Sequence, residues 1–377
     1  MRQSKCKWVR MGDYVHYCDE RNKDGVYTLD CVRGISIEKR MIFTKANMEG
    51  VSLAPYKLFK PYDFCFVPVT SRNGNKITIS MNYDDRTYIV SSAYEVFSVN
   101  DKSILLPDYL FLIFSRPEFD RYARFHSWGS ARESFSWDEM CRVRIPLPSI
   151  EEQQKVVNVW KAFREIKEQN EAIAAPLMQV CQSYIQELKH EYEALEIGQF
   201  IEESNNRNLE NKYGTESVRG LATSKGIIET KANMEDVSVL SYKLVKPDEL
   251  AFVPDTSRRG DKISLGYNEG SETVLVSSIS CVVKVVNQNK LLPKFLYLWY
   301  CRSEFDRYAR FHSWGSAREA FSYEDMKRVK VPIPPLEKQR AIVNIYNCAN
   351  EARKIAAEAD RMSREVCPAL IQHVINP

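Results

Sequence analysis

The segment EFDRYARFHSWGSARE at 118–133 recurs letter for letter at 304–319, an offset of 186 residues. A chain with this repeat must build the same local structure twice. TKANMEGVSLAPYKLFKP at 44–61 returns as TKANMEDVSVLSYKLVKP at 230–247, and 22 of the 34 positions from 44 to 77 match those from 230 to 263. The register extends upstream, pairing Gly12 with Gly198 and Arg21-Asn22 with Arg207-Asn208. It extends downstream to RIPLPSIEEQ at 144–153 and KVPIPPLEKQ at 330–339. No insertion interrupts it, so the chain is two copies of one unit, each several times longer than a solenoid repeat.

Within each unit the pattern changes once. Residues 12–145 are rich in short β-branched and aromatic runs such as KITISMNY and TYIVSSAYEVFSV, broken by N-G and D-D turns, which predict strands and hairpins. PDYLFLIFSRPEFDRYARF and PKFLYLWYCRSEFDRYARF, opening on Pro107 and Pro293, each predict one helix of several turns. Beyond the prolines at 146, 148, 332, 334 and 335 the pattern becomes wholly helical. The expected division is 1–150, 151–190, 191–336 and 337–377, with each helical stretch about 60 Å long at about 1.5 Å per residue.

In the first helical stretch Val156, Val159, Phe163, Ile166, Asn170, Ile173, Leu177, Val180 and Tyr184 alternate spacings of three and four, the signature of a coiled-coil seam with one polar member. The second offers Ala349, Ala352, Ala356 and Ala359, small enough for close approach. Pro176 predicts a kink. Trp160, Val157, Ile342, Ile345 and Tyr346 exceed what two helices bury against each other, which points to protein partners. A plain helical hairpin core is the alternative.

Composition limits the function. There are 53 Lys+Arg against 50 Asp+Glu, so nucleic-acid binding would need basic residues clustered on particular faces. No apolar run approaches the roughly 18 residues of a membrane span, the first twenty residues lack a secretory core, and ten scattered cysteines fit reduced thiols. A cytoplasmic protein is the expectation. No phosphate-binding or dinucleotide-binding glycine motif is present, nor is the Asn/Asp-Pro-Pro-aromatic tetrapeptide of adenine methyltransferases. Cys6, His16, Cys18 and Cys31 would make a metal site only in copy one, since copy two has Tyr192, Glu202, Ser204 and Ser217 there. Glu165 and Lys167 form an E-x-K without an upstream Pro-Asp and are taken as helix surface. No catalytic residue or metal site is assigned.

Two segments carry binding chemistry. The repeated block places Arg121 and Arg124, and likewise Arg307 and Arg310, three residues apart on one helical face, followed by His126, Trp128 and Arg132 or His312, Trp314 and Arg318 around a glycine turn. Guanidinium forks interleaved with aromatics suit phosphate and base-edge contacts. Alternatively the arginines pair with Glu118, Asp120 and Glu133. The second segment is a hairpin tip with Thr70, Ser71, Arg72 and Lys76, matched by Thr256, Ser257, Arg258, Arg259 and Lys262. Hydroxyls, cations and backbone N–H groups there fit phosphate oxygens, or make a solvated turn.

Two strand-rich copies, each opening on a Gly-aromatic stretch with R-N and V-R-G and closing on I-P-[LI]-P-x-x-E-x-Q before a long helix, resemble the specificity subunit of type I restriction-modification systems. The resemblance covers roughly 8–375. It implies an α+β fold: two tandem-duplicated target recognition domains separated by two long antiparallel coiled-coil-like helices, with pseudo-two-fold symmetry. It implies a non-catalytic, prokaryotic, DNA-reading subunit with two methyltransferase partners that use S-adenosylmethionine. Nuclease and translocase partners that use ATP and Mg are also implied. Recognition domains of one such subunit are usually dissimilar, whereas these are near duplicates, so a nearly palindromic, interrupted target is expected. Stretches such as SIEKRMIF against ATSKGIIE leave room for the half-sites to differ. A stand-alone DNA-binding regulator, or less readily a nuclease or methyltransferase in its own right, are the competing readings.

Overall fold

The computed structural model describes residues 6–71, 74–130, 132–257, 262–316 and 318–375. The first repeat carries β1 (Lys7–Arg10), β2 (Val15–Cys18), β3 (Arg33–Ile35), β4 (Met41–Phe43), β5 (Lys57–Phe59), β6 (Phe64–Phe66), β7 (Ile79–Met81), β8 (Tyr88–Val90) and β9 (Glu95–Val99). Helices α1 (Pro107–Phe114), α2 (Pro117–Phe125) and α3 (Trp137–Arg142) follow, then β10 (Arg144–Leu147) and the long α4 (Ile150–Glu191). The second repeat returns the series as β11 (Ala194–Glu196), β12 (Ile201–Glu203), β13 (Arg219–Ala222), β14 (Gly226–Glu229), β15 (Lys243–Val245), β16 (Leu250–Phe252), β17 (Leu265–Tyr267), β18 (Val274–Val276) and β19 (Cys281–Val285). Then come α5 (Pro293–Tyr300), α6 (Ser303–Phe311), α7 (Tyr323–Lys327), β20 (Lys330–Pro332) and α8 (Leu336–Ile375).

Both repeats have one topology. A four-stranded antiparallel sheet in the order β2-β9-β6-β7 is joined by three two-stranded ribbons, β1-β10, β3-β4 and β5-β8. The second repeat repeats this as β12-β19-β16-β17 with β11-β20, β13-β14 and β15-β18. Two compact units result: 1–169 with 355–377, and 170–354, so each strand-rich domain is grouped with part of both long helices.

The sequence predicts one helix before each histidine turn, and the structure has two. Arg116 and Arg302 are extended, at ψ 144 and 148, and separate a wholly buried or nearly buried α1 or α5 from an amphipathic α2 or α6. Pro117 disfavours a helical Arg116, but Ser303 stands in its place in copy two. The shared cause is burial: α1 is covered on every side, and the chain must turn for α2 to expose its polar face.

Val156, Val157 and Trp160 join the first unit's core beside Phe64, Phe97 and Phe114, together with Cys367, Ile371 and Ile375 of α8. Ile342 does the same in the second unit, with Ile345 and Tyr346 packed against it. These side chains are therefore not left open for a partner, as the sequence reading expected, because each strand-rich domain covers the neighbouring helix ends. The seam itself is also displaced. Val156 is buried and Val159, Phe163, Asn170 and Leu177 are half-buried, but the alternate positions are filled by Trp160, Lys167, Ala174 and Cys181, while Ile166 and Ile173 are exposed. Successive steps of four and three replace three and four. Lys167 takes its place in the seam through an ion pair to Asp360 at 2.6 Å. Ala349, Ala352, Ala356 and Ala359 are buried as expected. Pro176 lies inside α4 without ending it.

The motif residues of the opening and closing signatures are architectural. Gln153 is fully buried: its carbonyl oxygen accepts from Leu106 N (2.9 Å) and its amide donates to Ile104 O (2.9 Å) and Pro148 O (3.1 Å). Gln339 makes the same three bonds to Leu292, Lys290 and Pro334. Asn22 and Asn208 each close a loop onto Tyr27 and Tyr213. A side chain at Gly12 would stand 2.8 Å from Cys141 Cβ, so only glycine allows that approach.

Candidate nucleic-acid interface

Helix α2 begins at Pro117, whose missing N–H costs nothing in the first turn. It buries Phe119 and Ala123 and turns Arg121 and Phe125 outward, with Phe125 74% exposed. Ser127 ends the helix by donating its hydroxyl to Ala123 O at 2.7 Å. Trp128 and Ser134 then exchange two backbone hydrogen bonds, 3.1 and 3.0 Å, closing a tight loop. Gly129 permits it: its φ is 143°, and a Cβ would collide with the Arg132 carbonyl oxygen. The second repeat builds the same object, with Gly315 at φ 140° and Trp314 bridged to Ala320. Phe311 is 76% exposed, and Trp128 and Trp314 are exposed as well. Large aromatics exposed side by side at the helix end and the loop after it form an apolar surface of the kind that marks interaction sites.

The arginines divide into two kinds. Arg124 pairs with Glu133 and Arg310 with Glu319, so these guanidiniums are partly engaged within the protein. Arg121 lies 3.6 Å from Glu118 with both side chains exposed, an ion pair of little strength. Among the described residues Arg307 reaches the Ser303 hydroxyl, at 3.5 Å, and no carboxylate. Among the described residues Arg132 and Arg318, both exposed, have no carboxylate partner. His126 lies against Tyr122 (4.3 Å between ring centres) with Nδ1 3.7 Å from Glu139. His312 lies against Tyr308 at 4.2 Å.

Asp120 does not pair with the arginines. Its side chain is half-buried, and its Oδ1 accepts from Lys39 Nζ (2.7 Å) and from Ile77 N (3.1 Å). Lys39 Nζ also donates to Phe114 O at 2.5 Å. Asp306 repeats the arrangement with Lys225 and with Ile263 N at 3.0 Å. Burial pushes the Lys39 and Lys225 ammoniums below the ordinary lysine range, and the facing carboxylates oppose that shift. One carboxylate thus ties together the hairpin β3–β4, the backbone at Ile77 and α2. No sequence signal marks this, because the partners lie 43 and 81 residues away.

The hairpin-tip residues separate in the same way. Thr70 is 2% exposed, and its N–H and hydroxyl both donate to Glu133 O; Thr256 does likewise to Glu319 O. They brace the glycine loops, Thr70 against Glu133 and Thr256 against Glu319, and their side chains are buried rather than open at a hairpin tip as the sequence reading expected. Ser257 is bound to Asp255 at 2.7 Å, and Ser71 is exposed. Lys76 pairs with Glu38 at 2.9 Å, while Lys262 has Ser224 in the position of that carboxylate and no ion pair among the described residues. Arg72, Arg258 and Arg259 lie outside the described residues.

All ten cysteines are free. His16 Nδ1 meets Asn100 Oδ1 at 2.7 Å, burial raises the Cys18 thiol to about 11, and among the described residues no group of three His, Cys, Asp or Glu is placed to hold a metal. No helix among them is long and apolar enough to cross a membrane.

The family described as the type I restriction modification DNA specificity domain matches residues 67–175 and 257–347, rather more than half of the chain. The crystal structure of a type I restriction-modification system S subunit from M. genitalium is similar at 11% identity and TM-score 0.64, covering 99% of this chain and 97% of that one. An HsdS subunit from Thermoanaerobacter tengcongensis is similar at 15% identity and TM-score 0.37, covering 98% and 96%. The fold likeness rests on the first of these. No curated protein sequence matches.

Proposed function

The chain belongs to the type I restriction-modification DNA specificity family, and from that premise we propose how its two repeats divide the work of recognising DNA. Each repeat reads one half of an interrupted, nearly inverted-repeat site. The observation that carries this is the identical block 118–133 and 304–319, built twice with the same glycine loop, outward aromatics and exposed arginines. Identical contact surfaces favour near-identical half-sites, as in two-fold DNA readers whose half-sites lie about one helical turn apart. Arg121, Arg132, Arg307 and Arg318 supply phosphate and base-edge donors, and Trp128 and Trp314 supply flat apolar surface.

The chain carries no chemistry of its own in this reading. Two methyltransferase subunits bring S-adenosylmethionine, and nuclease or translocase subunits, where they join, bring ATP and Mg; the setting is the prokaryotic cytoplasm. The surface offered to the methyltransferases is the stripe Ile173, Val180 and Tyr184 along α4, which the seam leaves exposed. An apolar stripe of this kind on a long helix is ordinarily covered by a partner.

The test is co-expression with a methyltransferase from the same operon, followed by native mass spectrometry. Two methyltransferase copies per chain are expected, with assembly weakened by Ile173→Asp combined with Val180→Asp. A partner-free monomer that binds one specific DNA sequence tightly would instead establish a stand-alone regulator.

A further inference from the structure

We infer that the hairpin β3–β4 and its counterpart β13–β14 set the bases by which the two half-sites differ. This rests on the DNA-reading proposal above and adds the element that makes one half-site unlike the other. The 118–133 block is a poor candidate, since its twin is identical in sequence and repeats the Arg124–Glu133 pair as Arg310–Glu319. The difference must come from exposed residues that change between repeats.

Hairpin residues 35–43 keep only two identities with 221–229, Lys39 with Lys225 and Ile42 with Ile228, although Val-Arg-Gly before and Thr-Lys-Ala-Asn-Met-Glu after are retained. The kept lysine is the anchor. Lys39 and Lys225 both adopt left-handed backbone, at φ 57° and 65°, and both reach the aspartate of the neighbouring helix. An unusual backbone fixed by a buried ion pair holds each hairpin in one place while its outer residues vary.

The retained arginine then meets a different neighbour in each copy. Arg33 lies over the rings of Phe43 (4.4 Å) and Tyr88 (4.1 Å), a guanidinium clamped between aromatic faces. Arg219 keeps the same two backbone carbonyl contacts, but its cross-strand neighbour is Glu229 at 3.4 Å, and Val274 replaces the tyrosine. The Glu229 side chain is 84% exposed. A clamped guanidinium donates, which suits guanine O6 and N7; a projecting carboxylate accepts, which suits the amino group of cytosine or adenine. Phosphates would repel that carboxylate, so a base edge is its favourable contact.

The seating differs as well. In copy two the hairpin lies on β17 so closely that a Cβ on Gly266 would be 3.0 Å from Ile227 N and 3.1 Å from Gly226 C. Copy one has Ser80 and Arg40 in those positions, and Arg40 pairs instead with Asp360 at 3.2 Å.

The experiment uses the full chain co-expressed with its methyltransferase, with methylated adenines mapped across the host genome by sequencing. Replacing 221–229 by the sequence of 35–43 should turn the two half-sites into inverted copies of each other. Glu229→Phe should change the preferred base within one half-site and leave the other untouched; Phe43→Glu should do the reverse. These two substitutions are on exposed side chains and keep the lysine anchor, so they decide the matter if the nine-residue replacement fails to fold. An unchanged motif in both single variants overturns the inference. A wild-type complex that methylates no bipartite motif overturns the DNA-reading proposal instead, and this inference with it.

Discussion

Lys57 and Lys243 occupy equivalent buried positions, yet their counter-ions come from different strands. Lys57 pairs with Glu95 on β9 (2.8 Å) and takes Tyr17 as a second partner, whereas Lys243 pairs with Glu203 on β12 (3.3 Å), where the first repeat has that tyrosine. Cys281 stands where Glu95 stood. A buried cation needs a carboxylate within reach, not at a fixed position, so the repeats diverged in pairs. The knot at Asp120 obeys the same physics and gives a direct test. Asp120→Asn or Lys39→Met alone should cost about 3 kcal/mol in urea unfolding, and the double variant less than the sum; additive costs would show that the two groups do not interact. Gly129→Ala should lose recognition of one half-site in a DNA-binding assay, because the loop cannot keep a φ of 143° with a side chain against the Arg132 carbonyl. At this scale the sequence was legible for the arginines and aromatics that face outward. It offered Asp120 only as a partner for the arginines, and it expected Thr70 and Thr256 to be open, because which polar side chain becomes buried depends on chain segments far apart in sequence.

The long helices were legible as elements, with α4 and α8 falling where the proline-bounded helical stretches ended the strand-rich domains. Their seam was ambiguous by one residue. On a helix of 3.6 residues per turn, positions three and four ahead both lie near the same face, and isoleucines at 166 and 173 favoured the wrong choice. Small or paired side chains at 167, 174 and 181 fill the seam instead. Ala174→Leu should therefore cost about 1–3 kcal/mol by overpacking. Ile173→Ala should stay within about 0.5 kcal/mol in the free chain, as exposed sites do. Equal costs in thermal unfolding would return the seam to its expected register. A second test concerns the clamp between α6 and α4. Burial alone would raise the Glu304 carboxyl, but the Arg302 guanidinium (3.0 Å) and the Gln186 amide (3.0 Å) outweigh it and bring the group down to about 2 from 4.5. A carboxylate held lower in the folded state stabilises above its unfolded value and loses that contribution as pH falls. The melting difference between wild type and Glu304→Gln should thus be constant near neutrality and shrink below about pH 4.5; a flat difference would rule the clamp out.

At the scale of the molecule, duplication was the most legible property, because an offset of 186 without insertions forces two equal folds. The resemblance to a specificity subunit supplied the function that composition, at 53 basic against 50 acidic residues, does not indicate. The structure adds that the repeats build the block 118–133 and 304–319 alike and differ in the hairpin tied to it through Asp120 and Asp306. The most direct measurement is the position and sequence of methylated adenines in DNA from cells carrying the chain and its methyltransferase. The account predicts an interrupted motif whose two halves are nearly inverted copies, about one helical turn apart. A motif of two unrelated half-sequences, or a continuous one, would contradict it.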